Sequence, residues 1–307
     1  MGAEAAGGIS GLGIALTLGA AAGFGLAVVF SRRGVLHGTV YGGIVLNVWS
    51  GLPLFLLAAI VFGQLTTLGS LGGWKLLALL ATGVLNYGVG RFANYQSIRS
   101  LGANRSAPLR AIAPTLAMGL GVALLGERLT LAQWVGAGLL LTAPLVMVVG
   151  QQQAASRASA AGRAELTRGL VWGLGAGVAY GLSLFLIRYI LAGTGMGVGG
   201  ALMVNVGAAA FLAGFLVMPG PRAGVRGMSG AGMRWYLVGG LIIAAAHIMR
   251  FSALELTPVS IVSPLFETNV LFGVLFSWLI NRRHEHFTGP VLIAIGLSLA
   301  GTLSLVI

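Results

Sequence analysis

Five ionisable residues stand inside or at the edges of otherwise apolar stretches: Arg91, Arg110, His247, Arg250 and Glu267. A charge at the middle of a membrane span costs roughly 2.5–3.5 kcal/mol on a translocon scale, so each one calls for a compensating role. Arginines near a span end can snorkel to the interface, and a structural ion pair would account for Glu267. The functional alternative is a binding site in which guanidinium groups hold a carboxylate. The intramembrane charge is net positive, which favours an anionic or zwitterionic substrate. Glu267 and His247 are then the candidate proton carriers. Pro114 has no N–H to offer the carbonyl of Arg110, so a cation and a freed acceptor fall together there, and Pro264 leaves the carbonyl of Ser260 in the same condition. Polar and aromatic residues of neighbouring apolar segments complete the candidate substrate site: Asn47, Trp49, Asn86, Tyr87, Tyr180, Ser183, Asn205 and Asn269. Interhelical asparagines can also be plain packing glue, worth about 0.6 kcal/mol each.

Other chemistries find little support. The chain has no cysteine, which removes disulfides, thiol catalysis and cysteine-ligated metals. The His284-Glu285-His286 run reads as a solvated loop, and no other cluster has metal-site spacing, so no metal is expected. The glycines lie within helices, and a stray Gly-x-Gly there does not mark a nucleotide loop. We therefore expect neither a cofactor nor an enzyme.

The elements that must carry these residues follow from composition. Of 307 residues, 57% are hydrophobic and 8% charged, against about 25% charged in soluble domains. Spanning a bilayer takes about 20 apolar residues. Ten such segments are present, near 10–31, 39–62, 74–95, 106–125, 131–150, 167–189, 197–218, 235–253, 259–280 and 288–306. Only Glu4 precedes the first as a charge, so it reads as a retained span and not a cleaved signal. Trp74, Trp134, Trp172 and Trp235 sit near segment ends, as interface anchors do. The fold expected is an all-α integral membrane protein with ten transmembrane helices.

The sequence also repeats. A shift of 156 brings Leu18-Gly19-Ala20 onto Leu174-Gly175-Ala176, Gly25-Leu26 onto Gly181-Leu182, Arg32 onto Arg188, Gly51 onto Gly207, Phe55 onto Phe211 and Pro108-Leu109 onto Pro264-Leu265. A shift of 158 then brings Glu127 and Thr130 onto Glu285 and Thr288. One register held over such a length marks a duplicated unit. The first unit spans 1–150, a linker 151–168 and the second unit 169–307. Five helices per unit is an odd number, so the second unit enters the membrane inverted, as in many secondary carriers. On that topology Arg32, Arg33, Arg99, Arg105, Arg157, Arg163, Arg168, Arg222, Arg226, Arg234, Arg282 and Arg283 share one side, and Lys75, Arg128 and Arg188 the other. This bias places both termini outside. The net charge of +12 thus reads as orientation and attraction to anionic lipid, not as nucleic-acid binding. Glu127 with Arg128, and Glu285 with Arg283, read as helix-end pairs.

Several local motifs are shared with a known family. They are Ala93-Asn94-Tyr95-Gln96-Ser97-Ile98-Arg99-Ser100-Leu101-Gly102-Ala103, then Ser106-Ala107-Pro108-Leu109, Pro114 and Leu125-Gly126-Glu127-Arg128-Leu129-Thr130. The second half answers with Ser252-Ala253-Leu254-Glu255-Leu256-Thr257-Pro258, Val262-Ser263-Pro264-Leu265 and Glu285-His286-Phe287-Thr288. The chain resembles, over nearly its whole length and as two tandem units, the EamA family of the drug/metabolite transporter superfamily. His284-Glu285-His286 departs from the family's Gly-Glu-Arg, and Arg110 stands where members usually carry an uncharged residue. The resemblance implies ten helices around a central cavity lined by the first, third, fourth, sixth, eighth and ninth, with transport by alternating access. Family members commonly keep both termini in the cytoplasm, the reverse of the charge bias here.

The combined expectation is a secondary transporter of the inner membrane for a small metabolite, an amino acid or organic anion. A lipid or lipid-linked headgroup flippase and a non-transporting membrane scaffold are the alternatives. The partners expected are a small-molecule substrate and membrane lipids, with the protein a monomer or homodimer.

Overall fold

The computed structural model describes residues 10–37, 40–101, 109, 112–155, 163–217, 228–280 and 289–306. No strand occurs among these residues. Backbone polar groups in lipid must be satisfied within the chain, and helices do so residue by residue. The helices are α1 (Gly11–His37), α2 (Val40–Val61), α3 (Gly73–Leu101), α4 (Ile112–Leu125), α5 (Leu131–Ala155), α6 (Arg163–Leu191), α7 (Gly197–Phe215), α8 (Gly230–Leu256), α9 (Val259–Ile280) and α10 (Gly289–Val306). A short helix, Gln64–Thr67, and a 3-10 turn, Leu68–Leu71, join α2 to α3.

Among the described residues, seven of these helices are long and apolar enough to cross a membrane: α1, α2, α3, α6, α7, α8 and α9. The other apolar stretches, Ile112–Leu125, Leu131–Ala143 and Leu292–Val306, are shorter. This departs from ten full-length segments. The described part of α4 starts at Ile112, and residues 102–108, 110 and 111 before it lie outside the description. Several helices outrun their apolar cores: α8 begins at Gly230 and α6 at Arg163, because helical hydrogen bonding continues into the interface after the hydrophobic run has ended.

Packing follows the duplication. Helix α1 lies against α8 and α9, and its equivalent α6 lies against α3 and α4. Helix α2 packs on α8 as α7 packs on α3, while α5 and α10 pack on each other. One close approach states the equivalence in ångströms. A Cβ added to Gly25 would stand 2.8 Å from the carbonyl oxygen of Asn269, and one on Gly181 would stand 2.7 Å from that of Ala113. The same shift of 156 relates both glycines and both carbonyls. Glycine is required at both places because the facing atoms are backbone, which cannot rotate away.

Two helices are irregular among the described residues. In α3, residues Val84–Gly90 form a π-helix. In α9 the helix breaks at Glu267–Thr268, between Val259–Phe266 and Asn269–Ile280. There the Glu267 N–H donates to Pro264 and the Thr268 N–H to Leu265, at 3.0 and 3.2 Å. The break falls one turn after Pro264, not at the carbonyl of Ser260 that proline frees.

Candidate functional site in the helix bundle

The π-helical stretch of α3 carries Tyr87 and ends at Arg91, whose N–H reaches back five residues to the carbonyl of Asn86. Glycines let neighbours press against it. A Cβ on Gly88 would meet the Phe211 ring at 2.9 Å, and one on Gly90 the Tyr180 ring at 2.7 Å. Single π-turns inside α-helices gather at functional sites.

Tyr87 and Arg91 face α8. The Tyr87 hydroxyl and His247 Nε2 share a hydrogen bond of 2.8 Å, while the buried Nδ1 has no partner among the described residues. The Phe24 ring meets His247 edge-on at 4.9 Å. The Arg91 guanidinium lies 4.8 Å above the Tyr87 ring and is hydrogen-bonded to the Tyr180 side chain, so the cation is held by one aromatic face and a hydroxyl. Among the described residues no carboxylate pairs with it. One turn beyond His247, the Arg250 guanidinium stacks 3.6 Å above the Phe266 ring. Its charge interacts with Glu267, and its Nε has no hydrogen-bond partner among the described residues.

These groups surround a cavity lined by Asn47, Val48 and Phe55 of α2, Tyr87 and Arg91 of α3, Asn205 of α7, and Ile243, Ala244 and His247 of α8. It has room for about one water molecule. The linings from α3 and α8 are repeat equivalents, since the shift of 156 takes Tyr87 to Ile243 and Arg91 to His247.

The candidate residues thus divide. Asn47, Tyr87, Arg91, Asn205 and His247 line one cavity; Tyr180 touches Arg91, and Arg250 and Glu267 stand one layer away. Trp49 does not line the cavity: it is 44% exposed, while its repeat equivalent Asn205 is 4% exposed and does. Asn86 is half-buried and off the cavity. Asn269 donates its Nδ2 to the Phe266 carbonyl at 2.8 Å, across the α9 break. Ser183 donates to the Ala179 carbonyl within its own helix. Arg110 lies outside the described residues, as do Glu285, Arg283 and the His284–His286 run. Among the described residues no group of metal-ligating side chains could hold an ion. Sequence reasoning passed over Phe24, Phe55 and Ile243, which look like ordinary core residues.

It also misassigned Glu127. That carboxylate does not pair with adjacent Arg128; it lies 3.4 Å from Arg188 Nε, with both side chains buried. Arg188, counted from sequence among the charges of one membrane side, is only 4% exposed. Adjacent residues on a chain leaving a helix point apart, whereas α6 brings Arg188 under the end of α4.

The model of the EamA-like transporter family matches residues 11–149 and 167–307. A curated relative from Escherichia coli (strain K12), "Probable amino-acid metabolite efflux pump", is 30% identical over 156 residues, 45% of this chain and 49% of that protein. The chain therefore spans about half the length of that relative. A solved structure titled "Crystal structure of protein" superposes with a TM-score of 0.72, covering 95% of each chain at 15% identity, a likeness of fold alone. With a family match over both repeats and several apolar helices able to cross a bilayer, this chain is a multi-pass membrane protein of the EamA-like transporter family, within the drug/metabolite transporter superfamily.

Proposed function

We propose that the protein is a secondary carrier that moves a small carboxylate-bearing metabolite, an amino acid or organic anion, across the inner membrane by alternating access. The observation that carries this reading is Arg91: a half-buried guanidinium on a cavity wall, held by Tyr87 and Tyr180, with no carboxylate paired to it among the described residues. Burying a cation without a counter-ion is costly, and a substrate carboxylate would supply one. His247 Nδ1 and Asn47 Oδ1, both without partners among the described residues, offer further polar contacts. Glu267 and His247 are the proposed proton carriers. The name of the Escherichia coli relative favours export of an amino-acid metabolite.

The carrier would have ten spans in two inverted halves. The arginine bias favours termini outside, and burial of Arg188 strengthens it by leaving Lys75 and Arg128 as the charges on the sparse side. A cysteine placed at Ala158 should resist an impermeant thiol reagent in intact cells; ready labelling would reverse the orientation.

Counterflow of radiolabelled amino acids and organic anions in proteoliposomes tests the substrate class. Charge-assisted hydrogen bonds are worth about 1.5–3 kcal/mol, so Arg91→Gln should weaken apparent affinity about 10- to 100-fold while melting changes little. Unchanged counterflow in that variant, or none for any carboxylate in the parent, would sink the reading.

A further inference from the structure

Helices α4, α6 and α8 finish at the same end of the bundle where α9 begins, and the ends are tied by one ion pair. Gly126, with φ +66°, turns the chain out of α4 so that the Glu127 carboxylate points back into the bundle. Glu127 Oε1 accepts the N–H of Val259 and Oε2 that of Ser260, each at 2.9 Å. These amides open α9 and have no acceptor within the helix. Arg188 Nη1 donates to the carbonyls of Leu254 and Glu255, each at 2.9 Å, which close α8. Each charge therefore caps the helix end whose dipole it complements, and the two charges face each other across 3.4 Å.

The hub is unevenly divided between the halves. Arg188, its two carbonyls and the two amides all belong to the second half. Glu127 belongs to the first. A separation of α4 from the α8–α9 turn would leave Arg188 on its carbonyls and break only the contacts of Glu127.

The hub also lies in line with the cavity. Along α8, His247 to Leu254 is about 10 Å, and along α6, Tyr180 to Arg188 is about 12 Å at 1.5 Å per residue. Leu184, Ile187, Phe251, Val259 and Val262 fill the core near these helix ends. Apolar packing could hold this end closed by itself, and a buried ion pair adds little net stability over a hydrophobic replacement. What the pair adds is a choice of two states. While Glu127 is buried every bond to it is needed; once water enters, water can replace each of them.

We propose that Glu127 and Arg188 form a releasable latch that shuts this end of the bundle, opened when α4 draws away from the α8–α9 turn. The inference builds on the carrier reading above, but its test needs no substrate. The chain has no cysteine, so Ala244→Cys gives a single thiol on the cavity wall. In sealed proteoliposomes, a charged thiol reagent is added to either face well below the melting temperature. The face carrying the α6–α7 turn is identified by a separate Ala192→Cys protein. Glu127→Gln should raise the labelling rate at position 244 by about tenfold or more, as loss of a buried charged contact implies, and from that face alone. Arg188→Lys keeps the charge but cannot hold two carbonyls and Glu127 together, and should give a smaller rise from the same face. A fall in melting temperature with labelling unchanged, or a rise from the opposite face, would make the pair a structural brace and overturn the proposal. If Glu127→Gln does not reconstitute, Arg188→Lys alone decides between these outcomes.

Discussion

Helices α3 and α8 hold equivalent places in the duplicated frame, yet they bring different chemistry to the cavity they share. The shift of 156 puts Arg91 opposite His247 and Tyr87 opposite Ile243, and all four line the same space. One half supplies a permanent cation, the other an imidazole. One helix opens into a π-stretch at Val84–Gly90, whereas the other runs as α-helix from Gly230 to Leu256. The backbone contacts have stayed paired, as Gly25 and Gly181 show, while the side chains at the centre have diverged. Backbone contacts of this kind admit almost no substitution, because any Cβ meets a main-chain atom. Cavity positions are restrained only by what they hold, so duplication can give two identical walls and selection can then make them unlike.

The harshest way to break the comparison is to make the walls alike. His247→Arg would set a third guanidinium beside Arg91 and Arg250, where Glu267 already interacts with the charge of Arg250. An uncompensated buried charge costs about 3–5 kcal/mol, so this variant should melt far earlier than the parent in a thermal-denaturation assay. The reciprocal Arg91→His should be tolerated for folding. If both variants melt alike, the two positions are chemically interchangeable and their divergence is incidental.

The frame predicts the opposite pattern. Gly25→Ala and Gly181→Ala each push a methyl into a backbone, an overpacking worth about 1–3 kcal/mol. The two should destabilise by similar amounts when their melting curves are compared, and a large loss at one position only would mean that the halves are less equivalent than their contacts suggest. The smallest effect expected is from Tyr87→Phe. It removes the hydroxyl bonded to His247 Nε2 and should cost about 0.5–1.5 kcal/mol, with a matching change in the histidine's nitrogen NMR shift. Ile243→Val, at the equivalent place in α8, should leave that shift where it is.

Much of this was legible in the sequence. The repeat could be read because its glycines mark backbone approaches, which keep both residue type and register. Arg91 and His247 could be singled out because an ionisable group in an apolar stretch is costly unless something nearby answers it. Asn205 could be named but not told apart from Trp49, its repeat equivalent; the choice between cavity and exterior is made by helix rotation, which a uniformly apolar helix does not reveal. The partnership of Glu127 with Arg188 was hidden for a different reason. Their separation along the chain carries no periodicity, and Glu127's nearest charge, Arg128, offered a simpler pairing. The one available hint was Arg188 itself, set between Ile187 and Tyr189 before the apolar run of α6 has ended.

The π-stretch of α3 has a consequence for rotational phase. Each residue advances an α-helix by about 100°, and a π-turn is the mark of roughly one residue more than the α-helical path requires. Everything after Gly90 is therefore turned relative to the course set by Gly73–Gly83, and that offset aims Arg91 at the cavity. Direction here is encoded by length, not by residue identity. Losing one residue between 84 and 90 would swing the guanidinium toward another neighbour while leaving every remaining side chain unchanged, whereas the regular helix α8 can re-aim its histidine only by moving it to another position.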